Sequence, residues 1–276
     1  MGVKAVDGNF FPTGILGATV LKGTSLEPEM GARGPRMWEF GRGHGVVNAI
    51  GLENPGVEWF CETLLKERFE KQNPLVPVFM NVFGFKASEY PKVIERVLKT
   101  LKELKITITQ PKYFAGFELN VSCPNVEKGG LEISADLSLL KKVVTESIEA
   151  AQGFPVLLKL GANETPESLL EKMRLLDKAG LWGFTLTNTL PVVVPEKNYL
   201  GRETGELSGT PLFLKNLKLV DVARKHLNNI SDAKTQIVGC GGVVGKAEAQ
   251  AYLERGADFV QVGSFLCHPK MRSSFF

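Results

Sequence analysis

Cysteine is sparse and unclustered in this 276-residue chain. Cys61, Cys123, Cys240 and Cys267 form no CxxC pair, which excludes a disulfide scaffold and a zinc or iron–sulfur site built from this chain alone. Charge of one sign is not in excess either. The formal net charge is only +3 and no Lys/Arg cluster is interleaved with aromatics, so nucleic acid and an acidic membrane surface are poor partners. No apolar run reaches the length of a membrane span, and no basic-then-apolar signal pattern is present. These absences lead us to expect a soluble protein of a reducing compartment, the cytoplasm. Histidine is rare: His44 falls in a Gly-rich loop, His226 near the end of an amphipathic helix and His268 near the chain end, so each reads as structural or exposed. No linker-like shift in composition divides the chain, which reads as one domain over residues 1–276.

What is present is 43% hydrophobic residues, enough for a substantial core, arranged as short apolar runs alternating with helical periods. Strands are expected near 15–21, 77–82, 115–122, 156–160, 183–187, 236–239 and 259–262. Helices are expected over 57–72, 88–104 with Ser88 as cap, 137–151, 166–179 with Thr165 as cap, 211–227 and 246–255. Residues 27–56 and 194–209, rich in Gly and polar residues, read as long functional loops. Alternation of this kind makes right-handed βαβ units and a parallel sheet. The expected fold is α/β, a (β/α)₈ TIM-type barrel that is incomplete, with seven recognisable strands.

In such a barrel the C-terminal strand ends share one face, where the chemistry sits. Here those ends carry Lys22, Asn81, Asn120 with Cys123, Lys159, Asn188 with Thr189, Gly241-Gly242 and Gly263-Ser264. Any one strand-end polar residue more often just satisfies loop backbone; seven such ends together point to a ligand. Paired glycines and Gly-Ser let backbone N–H groups approach a phosphate. Two lysines on buried strands need an anionic or acceptor partner, such as a cofactor that becomes anionic on reduction. Asn48, Asn120, Asn125 and Asn188 offer the paired donors and acceptors that a flat heterocycle with C=O and N–H groups would require. Cys123 is the thiol among these amides and the candidate proton acceptor.

The central run Phe117–Gly130, with Asn120-Val-Ser-Cys-Pro-Asn125, closely resembles the catalytic segment of class 1 dihydroorotate dehydrogenases. So do Lys22-Gly-Thr-Ser-Leu-Glu-Pro28, Asn48-Ala-Ile-Gly-Leu-Glu-Asn-Pro-Gly56, Leu186-Thr-Asn-Thr189, Leu207-Ser-Gly209, Gly239-Cys-Gly-Gly242 and Gln261-Val-Gly-Ser264. The resemblance implies an FMN enzyme that oxidises (S)-dihydroorotate to orotate in pyrimidine biosynthesis, with Cys123 as base. It further implies that Lys22, Asn48, Ala49, Ile50, Gly51, Leu52, Asn120, Asn125, Asn188 and Thr189 bind substrate. FMN would be held by Lys22, Asn81, Asn120, Lys159, Thr187, Gly209, Gly241, Gly242, Gly263 and Ser264, with no metal. The motifs look most like the NAD-linked subclass. The partners implied are a second copy of the chain and a separate subunit carrying FAD and a [2Fe–2S] cluster, with the fumarate-linked subclass also compatible.

Several features depart from that pattern. A family-type first strand ending in Ser-Gly and a closing helix are not expected in this chain. Lys105–Ala115 is long, Glu206 stands where glycine is usual, and Leu160-Gly-Ala-Asn163 replaces the usual turn. An alternative is therefore a truncated or degenerate, non-catalytic FMN-binding barrel that serves as an assembly partner. A third reading, a flavin-free phosphate-binding lyase or isomerase, lacks an identifiable acid–base pair.

Overall fold

The computed structural model describes residues 17–40, 45–70, 76–121, 130–194, 200–230 and 234–264. The chain lays down β1 (Thr19–Val20), β2 (Met37–Phe40), β3 (Gly45–Asn48), helix α1 (Gly56–Trp59), a π-helical stretch over Phe60–Leu65, and α2 (Lys66–Glu70). Regular alternation follows with β4 (Val78–Val82), α3 (Glu89–Glu103), β5 (Gly116–Asn120), α4 (Gly130–Ala135), α5 (Leu137–Ala151), β6 (Val156–Leu160), α6 (Pro166–Leu176) and β7 (Gly183–Leu186). Next come β8 (Leu190–Val193), β9 (Thr204–Gly209), α7 (Phe213–Asn228), β10 (Gln236–Cys240), α8 (Lys246–Glu254) and β11 (Phe259–Gln261).

All seven expected strands pair in parallel in the order β1-β4-β5-β6-β7-β10-β11. The sheet is an incomplete barrel: β1 and β11 are its outer strands, and no described residue joins them. Its central strands are apolar almost throughout because both faces are covered, and every residue of β5 is buried. Outside the sheet, α3 presents Val93, Ile94, Val97 and Leu101, and α5 presents Leu140, Val143 and Val144. Phe114 packs edge-on against Phe117 at 5.0 Å and Phe154 at 5.6 Å between ring centres, sealing the base of β5.

Of the two caps expected from the sequence, one is present and one is not, and Asp136 supplies a further cap that was not expected. Thr165 caps α6, its hydroxyl accepting from the Ser168 N–H at 3.2 Å, and Asp136 caps α5 through Ser138 and Leu139. Ser88 does not cap α3: its backbone is already helical and its hydroxyl makes no capping bond. The Glu89 carboxylate instead folds back onto the preceding turn, accepting from the N–H groups of Phe85 at 2.7 Å and Lys86 at 3.3 Å. Helix α6 also ends earlier than its apolar period suggests, at Leu176.

Residues 27–56 and 194–209 are not simply loops. Parts of both, together with β8, build a second, antiparallel sheet of order β2-β3-β9-β8, with Asn48 opposite Glu206 and Pro191 opposite Glu206. The small core of this sheet is Val47, Val194 and Leu200, with Trp38, Val192 and Leu207 against it. Strands of four to six residues, most of them containing Gly or Pro, carry too little period to stand out in the sequence.

Gly116 opens β5 at φ +152°, and a Cβ there would lie 2.3 Å from the Pro155 carbonyl oxygen. Gly116→Ala is therefore expected to destabilise the fold by more than about 1 kcal/mol in urea unfolding. An unchanged midpoint would show that β5 and β6 can separate at no cost.

Candidate active site

Glu118 and Asn120 lie two apart on β5 and so share its inward face. Glu118 is fully buried, at 0% exposure. Its Oε1 accepts from Asn81 Nδ2 on β4 at 2.7 Å and from Lys159 Nζ on β6 at 3.4 Å. Its Oε2 accepts from Thr185 Oγ1 on β7 at 2.8 Å and from Gln261 Nε2 on β11 at 3.3 Å. Lys159 Nζ also donates to Gln261 Oε1 at 2.9 Å. Burial alone pushes the Lys159 ammonium down, but the Glu118 carboxylate, helped by Cys240, outweighs it and the net direction is up. This network forms the floor of the site.

Above it lies a ring of amides and hydroxyls. Asn188 Nδ2 donates to Asn120 Oδ1 at 3.3 Å, and the Asn120 backbone carbonyl accepts from Tyr90 Oη of α3 at 2.8 Å. The Thr187 hydroxyl donates to the Asn188 carbonyl at 3.0 Å. Thr189 Oγ1 donates to Glu206 Oε2 at 2.8 Å, while Asn48 Nδ2 donates to the Glu206 backbone carbonyl at 3.2 Å. The antiparallel sheet thus carries Asn48 to the residues that end β7. Lys22 Nζ lies 3.7 Å from Glu53 Oε2, which also pairs with Arg36 at 2.6 Å. Burial lowers the Lys22 pKa, with Glu53 acting in the opposite direction. The segment from Ala49 to Leu52 is held by its backbone, the Ala49 N–H donating to Arg36 and the Ile50 carbonyl accepting from Ala32.

At the glycine ends the reason for glycine is partly packing. Gly241 and Gly242 sit at φ +106° and +71°, where Cβ atoms would meet Asn216 Nδ2 at 2.4 Å and Phe213 at 2.6 Å. Gly263 has nothing within 4 Å of that position. Gly209 pairs with Gly45 in the antiparallel sheet. Cys123 and Asn125 lie outside the described residues.

The structure therefore brings together Asn81 with Lys159, Asn120 with Asn188, and Asn48 with Thr189. Both lysines have carboxylate partners within the chain itself, so burial of their charge does not by itself require a cofactor. Glu118, Gln261, Thr185 and Glu53 were missed as site residues. A glutamate alternating with Asn120 in an otherwise apolar strand was the signal for Glu118. Among the described residues no group of three or more His, Cys, Asp or Glu could hold a metal, and no helix is long and apolar enough to cross a membrane.

A family model described as dihydroorotate dehydrogenase matches residues 6–273. The chain belongs to the dihydroorotate dehydrogenase family. The NAD(+)-linked dihydroorotate dehydrogenase B catalytic subunit of Bacillus pumilus is 31% identical over 263 residues, 93% of this chain and 76% of that protein. The fumarate-linked dihydroorotate dehydrogenase A of Limosilactobacillus reuteri is 30% identical over 258 residues, 92% of this chain and 76% of the relative. The fold matches that of the dihydroorotate dehydrogenase of Eimeria tenella, crystallised with ferulenol, at a TM-score of 0.74 and 19% identity, covering 90% of this chain and 69% of that one. The class 1 resemblance read from the motifs and the incomplete-barrel fold are both borne out.

Within this dihydroorotate dehydrogenase fold, Glu118→Gln should cost about 3–5 kcal/mol at neutral pH, because it leaves the Lys159 charge buried without its counter-ion. The sign with pH is distinctive. In the parent, a raised Lys159 pKa contributes stability that is present at neutral pH and lost only as pH rises past the usual lysine range. In the variant burial acts without the carboxylate that outweighed it, so the deficit should shrink between about pH 7 and pH 9.5. Urea unfolding at both pH values reads this; a pH-independent deficit would remove Glu118 as the counter-charge.

Proposed function

We propose that this chain oxidises (S)-dihydroorotate to orotate, with Cys123 taking the proton from C5 as a hydride leaves C6 and the C5–C6 double bond forms. The observation that carries this reading is the convergence of Asn120, Asn188, Thr189 and Asn48 at one mouth above Lys159. Amides from β5 and β7, with Asn48 from β3, offer a flat pyrimidine both donors and acceptors. In this reading Lys22, Ala49, Ile50, Gly51, Leu52 and Asn125 complete the substrate site.

The described residues fit FMN. Lys159 is a cation whose side chain is 14% exposed, set beside the inward amide of Asn81. Gly263 leaves room for a close approach of its backbone. Lys22, Asn81, Asn120, Lys159, Thr187, Gly209, Gly241, Gly242, Gly263 and Ser264 would hold the cofactor. When bound, FMN supplies the hydride acceptor. The names of several relatives, catalytic subunits of NAD(+)-linked enzymes, support a separate electron-transfer subunit as the onward acceptor; that this subunit carries FAD and a [2Fe–2S] cluster is our reading from the motif resemblance. We further propose a single domain that forms a homodimer in the cytoplasm.

Purified protein reconstituted with FMN is expected to be yellow and to bleach when dihydroorotate is added without air. Absence of any flavin spectrum with excess FMN would overturn the reading, and bound flavin that never bleaches would favour a non-catalytic role. Cys123→Ser should slow bleaching by about 10²–10⁴-fold near pH 7 and leave orotate affinity nearly unchanged, since a hydroxyl is a far weaker base. Equal losses in rate and affinity would remove Cys123 from the base role.

A further inference from the structure

Each acid partnering the two site lysines faces a cation: Glu118 faces Lys159, and Glu53 faces Lys22 and Arg36. Glu206 is different. It is 4% exposed, and among the described residues its carboxyl has one hydrogen-bond partner, the Thr189 hydroxyl at 2.8 Å. The strands on either side of β9 bring no titratable group: β3 is Gly-Val-Val-Asn and β8 is Leu-Pro-Val-Val. Nor does β9 carry another of its own. Burial pushes the Glu206 carboxyl up to about 7, against the smaller opposing effect of the Thr189 hydroxyl.

Glu206 also touches two of the residues assigned to the pyrimidine, Thr189 through its side chain and Asn48 through its carbonyl. A hydroxyl has one proton to give. While Glu206 is ionised, that proton is committed to the carboxylate, and Thr189 can only accept from a ligand. Once Glu206 is protonated, its own O–H can donate to Thr189 Oγ1, which frees the threonine proton for a ligand oxygen. Dihydroorotate and orotate are anions rich in carbonyl oxygens, so they need donors. An ionised carboxylate behind Thr189 would also repel them in a site from which water is largely excluded.

We propose that Glu206 is a specificity-determining residue of this site: its protonated form turns Thr189 into a donor, so the anionic pyrimidine is taken up together with one proton. This rests on the assignment of Asn48 and Thr189 to the substrate. The expected consequence is weaker binding as pH rises through neutrality, approaching about tenfold per pH unit above about 7.

The test is calorimetric titration of the FMN-loaded protein with orotate at pH 6 and pH 8.5, in buffers of different ionisation enthalpy. The unsubstituted protein should take up about one proton per orotate at pH 8.5 and close to none at pH 6. Glu206→Gln should bind orotate with no such uptake and with an affinity that is nearly flat across this range. Equal uptake in the two proteins, or none at pH 8.5 in the unsubstituted protein, would overturn the role of Glu206 while leaving the site assignment standing. No orotate binding at either pH would overturn that assignment itself. If Glu206→Gln fails to fold, Glu206→Gly, which restores the residue usual at this position, takes its place with the same expected loss of uptake; retained uptake in that variant would overturn the role of Glu206.

Discussion

A carboxylate shut away from water needs more compensation than one strand can supply, and Glu118 draws it from four. Asn81, Lys159, Thr185 and Gln261 come from β4, β6, β7 and β11, so the bonds run across the concave side of the sheet as well as between neighbours. Leaving any of these groups unpaired in a dry interior would be costly, which couples the curl of the sheet to the completeness of the network. The same bonds keep Lys159 charged and hold it beneath the mouth. Barrel geometry and the electrostatics of the site are in this sense one feature.

The antiparallel sheet adds what the barrel strands cannot. Side chains at the ends of parallel strands point along one face, but a ligand on that face must also be approached from above. Asn48 on β3 and Glu206 on β9 arrive from that direction, and their cross-strand pairing sets them opposite each other. Thr189 belongs to both layers, following β7 and preceding β8. Thus the segments between barrel strands, usually the variable part of such folds, carry Asn48 and Glu206 on a small core of their own.

Much of this was legible beforehand. Seven short apolar runs separated by helical periods could make little else but a parallel α/β sheet, and the polar residues closing each run had to gather on one face. The lysines show what local pattern leaves open: Lys22 and Lys159 on buried strands need anionic partners, and Glu53 and Glu118 of the chain itself meet that need whether or not a cofactor is bound. The antiparallel strands were missed because register with distant segments, not local period, makes them strands. Gly241 and Gly242 read as phosphate contacts, yet the backs of both are packed against α7.

Local residue choice determined the alternation of strand and helix, the family motifs and the polar character of the strand ends, because each depends only on near neighbours along the chain. Only the tertiary structure decided which charges pair, that burial pushes the Glu206 carboxyl up beside the Thr189 hydroxyl, and that two Gly-rich stretches enter one sheet. Those outcomes depend on distance and solvent exclusion between segments up to about 160 residues apart, such as Asn48 and Glu206, and burial strengthens every such interaction in a way that no linear pattern records.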